Sequence, residues 1–271
     1  MESKNNNILI NVLTRTSGRP FGFRKCYTSI KEQTYKNIKH IVSYDDKADL
    51  CYLKDLNIDL IDVTTIKETE LLKKNKVQNN LTASYNLYCN SLLDFVEEGW
   101  ILFLDDDDNL YHNKVIEEII VKIQSDFDED TLFIWQMRYP DGKLLPTNNQ
   151  IIGKTIKKYN IGSPCFLFHS KHKKNIYWDD LKGSDFRFLQ QICEKVTKTV
   201  FIQKVMVQIN NYGDLGQRND LSDSYSVNYK MPSSFYKNLL WFITPKYHFK
   251  FLGVLFFHKS TFRKFFMIFS K

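Results

Sequence analysis

The chain is organised around one stretch, in which Gly99-Trp100-Ile101-Leu102-Phe103-Leu104 runs directly into Asp105-Asp106-Asp107-Asp108-Asn109. Apolar residues in a row after a glycine predict a short, fully buried strand. Four carboxylates then begin where that strand would leave the sheet, and they repel one another unless a cation or several donors lie in front of them. Open α/β sheets bind ligands beyond the carboxyl ends of their strands.

This acidic run suits a hard divalent cation that carries phosphates, because Mg²⁺ takes one or two carboxylates and completes its shell with phosphate and water oxygens. The alternative is a solvated acidic loop that caps the next helix, since Asp is favourable near a helix N-terminus. The strand context favours the metal interpretation.

The chain outside this stretch alternates between strand and helix patterns. Strands are predicted over residues 8–13, 38–43, 58–63, 131–137 and 163–168, and helices over 21–33, 77–96, 113–124 and 184–196. Residues 140–143, Pro-Asp-Gly-Lys, predict a hairpin turn. The alternation before residue 105 predicts a parallel βαβ half. The expected fold class is therefore α/β, with a central, mostly parallel, Rossmann-like sheet flanked by helices.

Composition indicates a packed globular protein, with 43% hydrophobic and 15% aromatic residues in 271. The five cysteines are scattered and include no C-x-x-C pair, which argues for reduced thiols and against a zinc site or a disulfide framework. The polar first seven residues lack the apolar core of a secretory signal. We therefore expect a cytoplasmic protein.

The positive charge of the chain is concentrated in its last segment. Residues 229–271 contain eight Lys or Arg residues, no Asp or Glu, and ten phenylalanines, so residues 1–228 are close to neutral despite a net charge of +7. Lysines interrupt every apolar run, which argues against a spanning helix. The mixture predicts an amphipathic helical tail on an anionic membrane surface, at the inner face of the membrane. Packing against the rest of the chain is the alternative, and nucleic-acid binding is not expected.

Two further stretches carry candidate site residues. The first is Thr14-Arg15-Thr16-Ser17-Gly18-Arg19-Pro20, a polar and cationic loop suited to phosphate or sugar oxygens, although an ordinary strand-to-helix turn would read the same way. The second is Gly183-Ser184-Asp185, where Asp185 lies in the first turn of a predicted helix. Asp185 is either a functional carboxylate or a helix cap.

Taken together, these motifs resemble the GT-A glycosyltransferases, and more narrowly the inverting family 2 group. The resemblance rests on Ser29-Ile30-x-x-Gln33-Thr34-Tyr35 and the following Asp45-Asp46, on Ala83-Ser84-Tyr85-Asn86, on Leu104-Asp105-Asp106-Asp107-Asp108 as the "DXD" element, and on Gly183-Ser184-Asp185. It covers about residues 8–212. It implies a catalytic domain over residues 1–228, followed by the membrane-associating tail over 229–271.

The resemblance also implies a role for individual residues. Asp185 would be the catalytic base, and Asp107 would ligate Mn²⁺ or Mg²⁺ with support from Asp105. The residues expected to bind the nucleotide-sugar donor are Thr14, Arg15, Asp45, Asn86, Asp105, Asp106 and Arg218. Because four aspartates are consecutive, the register of Asp106, Asp107 and Asp108 stays open by one residue. Arg218 would lie on a loop that closes over the diphosphate, unless residues 212–220 form a plain surface loop.

The implied reaction moves a sugar from a nucleotide-sugar donor to a hydroxyl of a glycan or lipid-linked acceptor, with inversion, in cell-surface polysaccharide or lipopolysaccharide synthesis. Two rivals remain. A sugar-nucleotide nucleotidyltransferase would need a glycine-rich first loop, and residues 14–20 contain only Gly18. A catalytically inactive, membrane-bound binding module of the same fold is opposed only by the presence of all the expected carboxylates.

Overall fold

The computed structural model describes residues 8–74, 83–126 and 128–210, without the side chains of 70–74 and 126. The tail over 229–271 and Arg218 lie outside these residues. Among the helices that are described, none has the length and apolar character needed to cross a bilayer.

Nine strands of the described chain form one sheet. The strands are β1 (Ile10–Thr16), β2 (Ile38–Tyr44), β3 (Asp59–Asp62), β4 (Trp100–Phe103), β5 (Asp108–Leu110), β6 (Thr131–Arg138), β7 (Leu144–Leu145), β8 (Phe166–His169) and β9 (Lys198–Ile209). Their spatial order is β3-β2-β1-β4-β8-β6-β9-β5, and β7 pairs with β6. Strands β3, β2, β1 and β4 are mutually parallel, as predicted, whereas β8 and β5 run antiparallel to their neighbours.

Seven α-helices connect the strands in the described residues. They are α1 (Pro20–Lys31), α2 (Leu50–Leu53), α3 (Thr64–Lys74), α4 (Tyr88–Phe95), α5 (Val115–Asp126), α6 (Asn148–Ile152) and α7 (Ser184–Cys193). Helix α1 begins with a proline, whose fixed φ suits the first helical position. It buries Phe23, Cys26 and Ile30, whose spacing places them on one face.

Strand β4 lies in the middle of the sheet and is buried along its whole length. Its entry depends on Gly99, which has φ +89° and whose hypothetical Cβ would lie 2.7 Å from the Leu9 carbonyl oxygen. The side-chain amide of Asn11 donates to the carbonyls of Glu98 and Trp100 at 2.7 and 3.2 Å. These contacts fix β4 beside β1, so the two strands end at the same edge.

Three sequence expectations need correction, and one helix was missed. Strand β1 continues through Thr14 and Arg15, which were expected in the following loop, because the parallel pairing with β2 extends to Thr16. The acidic run is not wholly a loop, since Asp108 already pairs with Ile209 in β5. Helix α3 was not predicted. The helix expected over 77–96 is, in its described part, a 3-10 turn (Ser84–Leu87) followed by α4.

Candidate active site

The carboxyl ends of β1, β2 and β4 meet at one edge of the sheet. Arg15 lies near the end of β1, Asp45 follows β2, and Asp105 follows shortly after β4. Since these strands are parallel neighbours, residues far apart in sequence converge here. This edge is where the sequence predicts the site.

The centre of this edge is the Arg15 side chain. Its Nε and Nη2 donate to Oδ1 and Oδ2 of Asp105 at 2.8 and 3.2 Å, and its Nη1 donates to Oδ1 of Asn86 at 2.8 Å. The guanidinium carbon also lies 4.6 Å from the ring centroid of Tyr85. Three residues predicted to bind the donor, Arg15, Asn86 and Asp105, are thus brought into direct contact.

Asp106 holds the loop after β1 in place. Its carboxylate accepts hydrogen bonds from the Thr16 hydroxyl at 2.9 Å and from Arg19 Nη1 at 3.0 Å. The residue is only 4% exposed. Asp106 therefore stabilises the loop over residues 16–19. Because its carboxylate is buried and already hydrogen-bonded, it is less accessible to a donor than the sequence suggested.

Arg19 also reaches the next carboxylate, since its Nη1 lies 2.9 Å from Oδ2 of Asp107. Burial raises the pKa values of Asp106 and Asp107, and the charge of Arg19 opposes both shifts. Burial, with Asp107 next in importance, raises the pKa of Asp108 well above its ordinary value. Burial is therefore the main cost of ionising these carboxylates, and a cation in front of them would offset it.

Asp185 reaches the same edge from the far half of the chain. Helix α7 begins at Ser184 after Gly183, which has φ +76° and occupies the N-cap position, so Asp185 is not the cap itself. The carboxylate accepts a hydrogen bond from the backbone N–H of Ser163. Burial raises its pKa to about 6, the positive charge of Arg15 opposes that shift, and the negative charge of Asp105 adds to it. Both charges act on Asp185, which therefore belongs to the same cluster.

Asp45 lies in a separate part of the edge. Its carboxylate accepts a hydrogen bond from the Tyr88 hydroxyl at 3.3 Å and lies 3.4 Å from Nζ of Lys67. The residue is 8% exposed. A nucleotide base would reach this carboxylate only by displacing or sharing those partners.

Thr14 lies in the core and not at the edge. The residue is fully buried, and its hydroxyl lies 3.0 Å from Nε2 of His40 and 3.9 Å from the Cys26 sulfur. Successive residues of a strand point to opposite faces, which separates Thr14 from its neighbour Arg15. The structure thus buries Thr14, and its role in a nucleotide pocket stays a prediction.

Known proteins with the same fold were found by structure and not by sequence. No protein-family model and no curated protein sequence matches the chain. The structure of S. aureus TarS residues 1–349 in complex with UDP-GlcNAc superposes with a TM-score of 0.56 at 14% identity, covering 77% of this chain and 60% of that one. A longer S. aureus TarS structure gives 0.54 at 14% identity, covering 74% and 36%.

A third structure widens the comparison beyond TarS. The mannosyltransferase PcManGT from Pyrobaculum calidifontis, in complex with GDP-Man and Mn²⁺, gives a TM-score of 0.55 at 11% identity, covering 78% of this chain and 59% of that one. The chain therefore spans between about a third and three-fifths of these proteins. Its described residues have a GT-A-like fold.

The edge of this GT-A-like sheet carries carboxylates of the kind that bind a divalent cation. Of the four aspartates, Asp105 and Asp107 keep the more open side chains, at 30% and 17% exposure, against 6% for Asp106. Two accessible carboxylates match a cation that obtains its other ligands from phosphate and water. Within the described residues no group of three or more His, Cys, Asp or Glu side chains could hold a metal. Asp105 and Asp107 are therefore the residues at this edge that would hold a divalent cation.

The sequence interpretation missed several residues of the GT-A-like edge. Arg19 was recognised only as part of a cationic loop, yet it pairs with two of the aspartates. Tyr85 stood unremarked within the Ala-Ser-Tyr-Asn motif, and it covers the Arg15 guanidinium. Lys67 had no signal, because it comes from the unpredicted helix α3. Of these three residues, only Arg19 and Tyr85 could have been suspected from their neighbours in sequence.

Proposed function

We propose that this protein is a metal-dependent, inverting glycosyltransferase that moves a sugar from a nucleotide-sugar donor to a hydroxyl group of a glycan or lipid-linked acceptor. The observation that carries the proposal is the convergence of Arg15, Asn86 and Asp105 with the partly buried carboxylate of Asp185 at the ligand-binding edge of a GT-A-like sheet. The complexes of the similar proteins with UDP-GlcNAc and with GDP-Man and Mn²⁺ support the choice of donor class.

Donor binding follows from the charges at this edge. The diphosphate of a nucleotide-sugar brings negative charge to a place where Arg15 and Arg19 already hold Asp105, Asp106 and Asp107. A Mn²⁺ or Mg²⁺ ion held by Asp107 and Asp105 would supply Lewis-acid stabilisation of the leaving nucleoside diphosphate. The arginines keep the carboxylates fixed before the ligand arrives, which reduces the reorganisation needed on binding.

In the acceptor step, Asp185 would act as the general base. A pKa of about 6 leaves its carboxylate mostly ionised at neutral pH, yet more basic than an ordinary aspartate. The acceptor oxygen forms a bond to the anomeric carbon while the bond from that carbon to the phosphate oxygen breaks, and the acceptor proton passes to Asp185. A single displacement of this kind inverts the anomeric configuration and needs no covalent intermediate.

The biological setting is also part of the proposal. The basic and aromatic tail over residues 229–271 would hold the enzyme on the inner face of a membrane, beside a lipid-linked or membrane-anchored glycan. Cell-surface polysaccharide or lipopolysaccharide synthesis would supply such an acceptor. Arg218 would close over the diphosphate during turnover.

The test combines nucleotide binding with turnover. Thermal unfolding is measured with UDP, GDP, CDP and dTDP, each with and without Mn²⁺, because a ligand that binds only the folded state stabilises it by about 2.7 kcal/mol at a concentration of 100 Kd. Slow hydrolysis of the matching nucleotide-sugars is then followed. We expect one nucleotide to stabilise the protein in a Mn²⁺-dependent way and its sugar conjugate to be hydrolysed.

Other outcomes would support the rivals. Binding without any turnover would favour an inactive binding module. Release of pyrophosphate from a nucleoside triphosphate and a sugar phosphate would favour a nucleotidyltransferase. Absence of both binding and turnover with all four nucleotides would contradict the proposed function.

A further inference from the structure

Tyr159 combines two features that are unusual for a large aromatic residue. Its side chain is among the most exposed of the large hydrophobic residues, at 63%, and its backbone has φ +67°. A bulky residue rarely adopts positive φ, and such conformations persist where the surrounding structure enforces them, often at functional sites. Tyr35 and Tyr88, by contrast, use their hydroxyls within the fold, donating to the Ile8 carbonyl and to Asp45.

The position of Tyr159 is set by a contact with the start of helix α7. A Cβ built on Gly183 would lie 2.9 Å from Cε1 and 3.5 Å from Cδ1 of the Tyr159 ring, so the missing side chain lets the ring edge approach the backbone. Gly183 itself has φ +76°. Tyr159 and Gly183 thus both have left-handed backbone conformation, and they are in contact two residues before Asp185.

The segment that carries Tyr159 also contacts the candidate base, Asp185, directly. Ser163, a few residues after Tyr159, donates its backbone N–H to the carboxylate of Asp185. The charge of Asp185 also acts on Arg187, two residues further along α7. An exposed aromatic ring thus lies against Gly183, two residues before the candidate base, and the same segment reaches the Asp185 carboxylate through Ser163.

We propose that Tyr159 is a stacking platform for a sugar ring of the acceptor, which makes the acceptor a glycan with an accessible pyranose face; this inference rests on the proposed glycosyltransferase function. The C–H bonds on one face of a pyranose carry partial positive charge, and the face of an aromatic ring carries partial negative charge. A ring stacked on Tyr159 brings a hydroxyl of the same or the adjoining sugar towards Asp185. The Lys158 ammonium, 5.1 Å from the Tyr159 ring centroid, offers a hydrogen-bond donor to that sugar.

The chain offers a matched control for this assignment. Tyr177 has the same exposed fraction, 63%. It lies beside the C-terminal part of α7, where its backbone N–H donates to the Gln191 side chain and its carbonyl accepts from it. Tyr177→Ala therefore removes an equally exposed ring on a different part of the surface. Tyr159→Phe keeps the aromatic face and removes only the hydroxyl.

The experiment measures glycan binding by the full chain. Mn²⁺ is present, together with the nucleoside diphosphate that stabilises the protein in the thermal-unfolding test. The probe is an immobilised array of oligosaccharides ending in glucose, galactose, mannose or N-acetylglucosamine. We expect wild type, Tyr159→Phe and Tyr177→Ala to bind the same members, and Tyr159→Ala to bind them about tenfold more weakly. Nucleotide-induced thermal stabilisation should be equal in all four proteins, which shows that each is folded.

The two proposals fail in different ways. Equal glycan binding by Tyr159→Ala and wild type, or no glycan binding by wild type, overturns the platform while nucleotide binding stands. Loss of nucleotide stabilisation in Tyr159→Ala would place the ring in the donor site and would also overturn it. Failure of every nucleotide to bind wild type would instead remove the proposed function, and the platform with it.

Discussion

The guanidinium of Arg15 binds both carboxylate oxygens of Asp105 across 90 residues of sequence. The two residues lie at the ends of adjacent parallel strands, and the fork of the guanidinium fixes the plane of the carboxylate. Asn86 holds the third guanidinium nitrogen, and its own amide donates to the Leu181 carbonyl at 3.3 Å. This edge of the sheet is therefore connected through the Asn86 side chain to the loop that leads to Asp185.

We predict that Asp107→Asn abolishes metal-dependent turnover and leaves the fold intact. A bound cation contributes several kcal/mol of transition-state stabilisation, so its loss should lower the rate by about 10²-fold or more. The measurement is donor hydrolysis across a Mn²⁺ titration, with circular dichroism as the fold check. Asp59→Asn, which alters an exposed carboxylate paired with Lys39, is the matched control and should behave as wild type. Wild-type activity in excess chelator would refute this role.

We predict that Asp185→Asn lowers kcat by about 10²- to 10⁴-fold and leaves donor affinity nearly unchanged, because the amide cannot accept the acceptor proton. Asp180→Asn, on the preceding loop, is the control. In the wild-type enzyme the active base is the ionised form, so activity should fall as the pH falls through about 6, well above the ordinary aspartate value. Loss of donor affinity at constant kcat would make Asp185 a binding residue instead.

We predict that Arg187→Ala lowers kcat by about tenfold through the position of Asp185. Arg187 binds both carboxylate oxygens of Asp179 and donates to the carbonyls of Leu181 and Lys182, so it braces the loop before α7. Because this pair is partly exposed, we expect the free energy of unfolding to fall by no more than about 1 kcal/mol. Arg138→Ala, another exposed arginine, controls for loss of charge. An unchanged kcat would show that the contacts of Arg187 with the loop before α7 do not affect Asp185.

We predict that buried His40 makes the protein sensitive to acid. Burial, assisted by the charge of Lys31, lowers its pKa from 6.5 to about 3, so the folded protein keeps the ring neutral. Between these pH values the unfolded chain binds a proton that the folded chain does not. The free energy of unfolding therefore decreases as the pH falls from about 6.5 towards 3, by roughly 3 kcal/mol at pH 4.

Denaturant unfolding at several pH values tests this prediction. His40→Gln, which keeps a polar partner for Thr14, should lose that part of the pH dependence. His112→Gln, which changes an exposed histidine, should retain the wild-type dependence. Parallel pH curves for wild type and His40→Gln would contradict the prediction.

We predict that the full chain sediments with vesicles of anionic lipid and is released by salt, because each basic residue near such a surface contributes about 1 kcal/mol. Replacing Lys246, Lys250 and Lys259 by Glu should leave the protein in solution. The same change at the exposed lysines Lys54, Lys122 and Lys174 should not. Equal sedimentation of the two triple variants would assign the tail another role.

The sequence by itself determined the elements whose signal is local. The apolar run before Asp105 predicts a buried strand, and α1 follows from a regularly spaced apolar face. Open α/β sheets bind ligands beyond the carboxyl ends of their strands, so the sequence also predicted a ligand site at the edge where Asp105 follows its strand. These inferences need only the periods of helix and strand and the direction of the chain.

Only the tertiary structure decided which side chains touch. Asp108 becomes part of a strand because Ile209 pairs with it, and Thr14 is buried because His40 lies against it. The partners of Arg19 among the four aspartates, and the contact of Tyr159 with Gly183, join segments with no shared local pattern. Such contacts depend on how whole elements pack, and one residue of register or one turn of helix redirects every side chain involved.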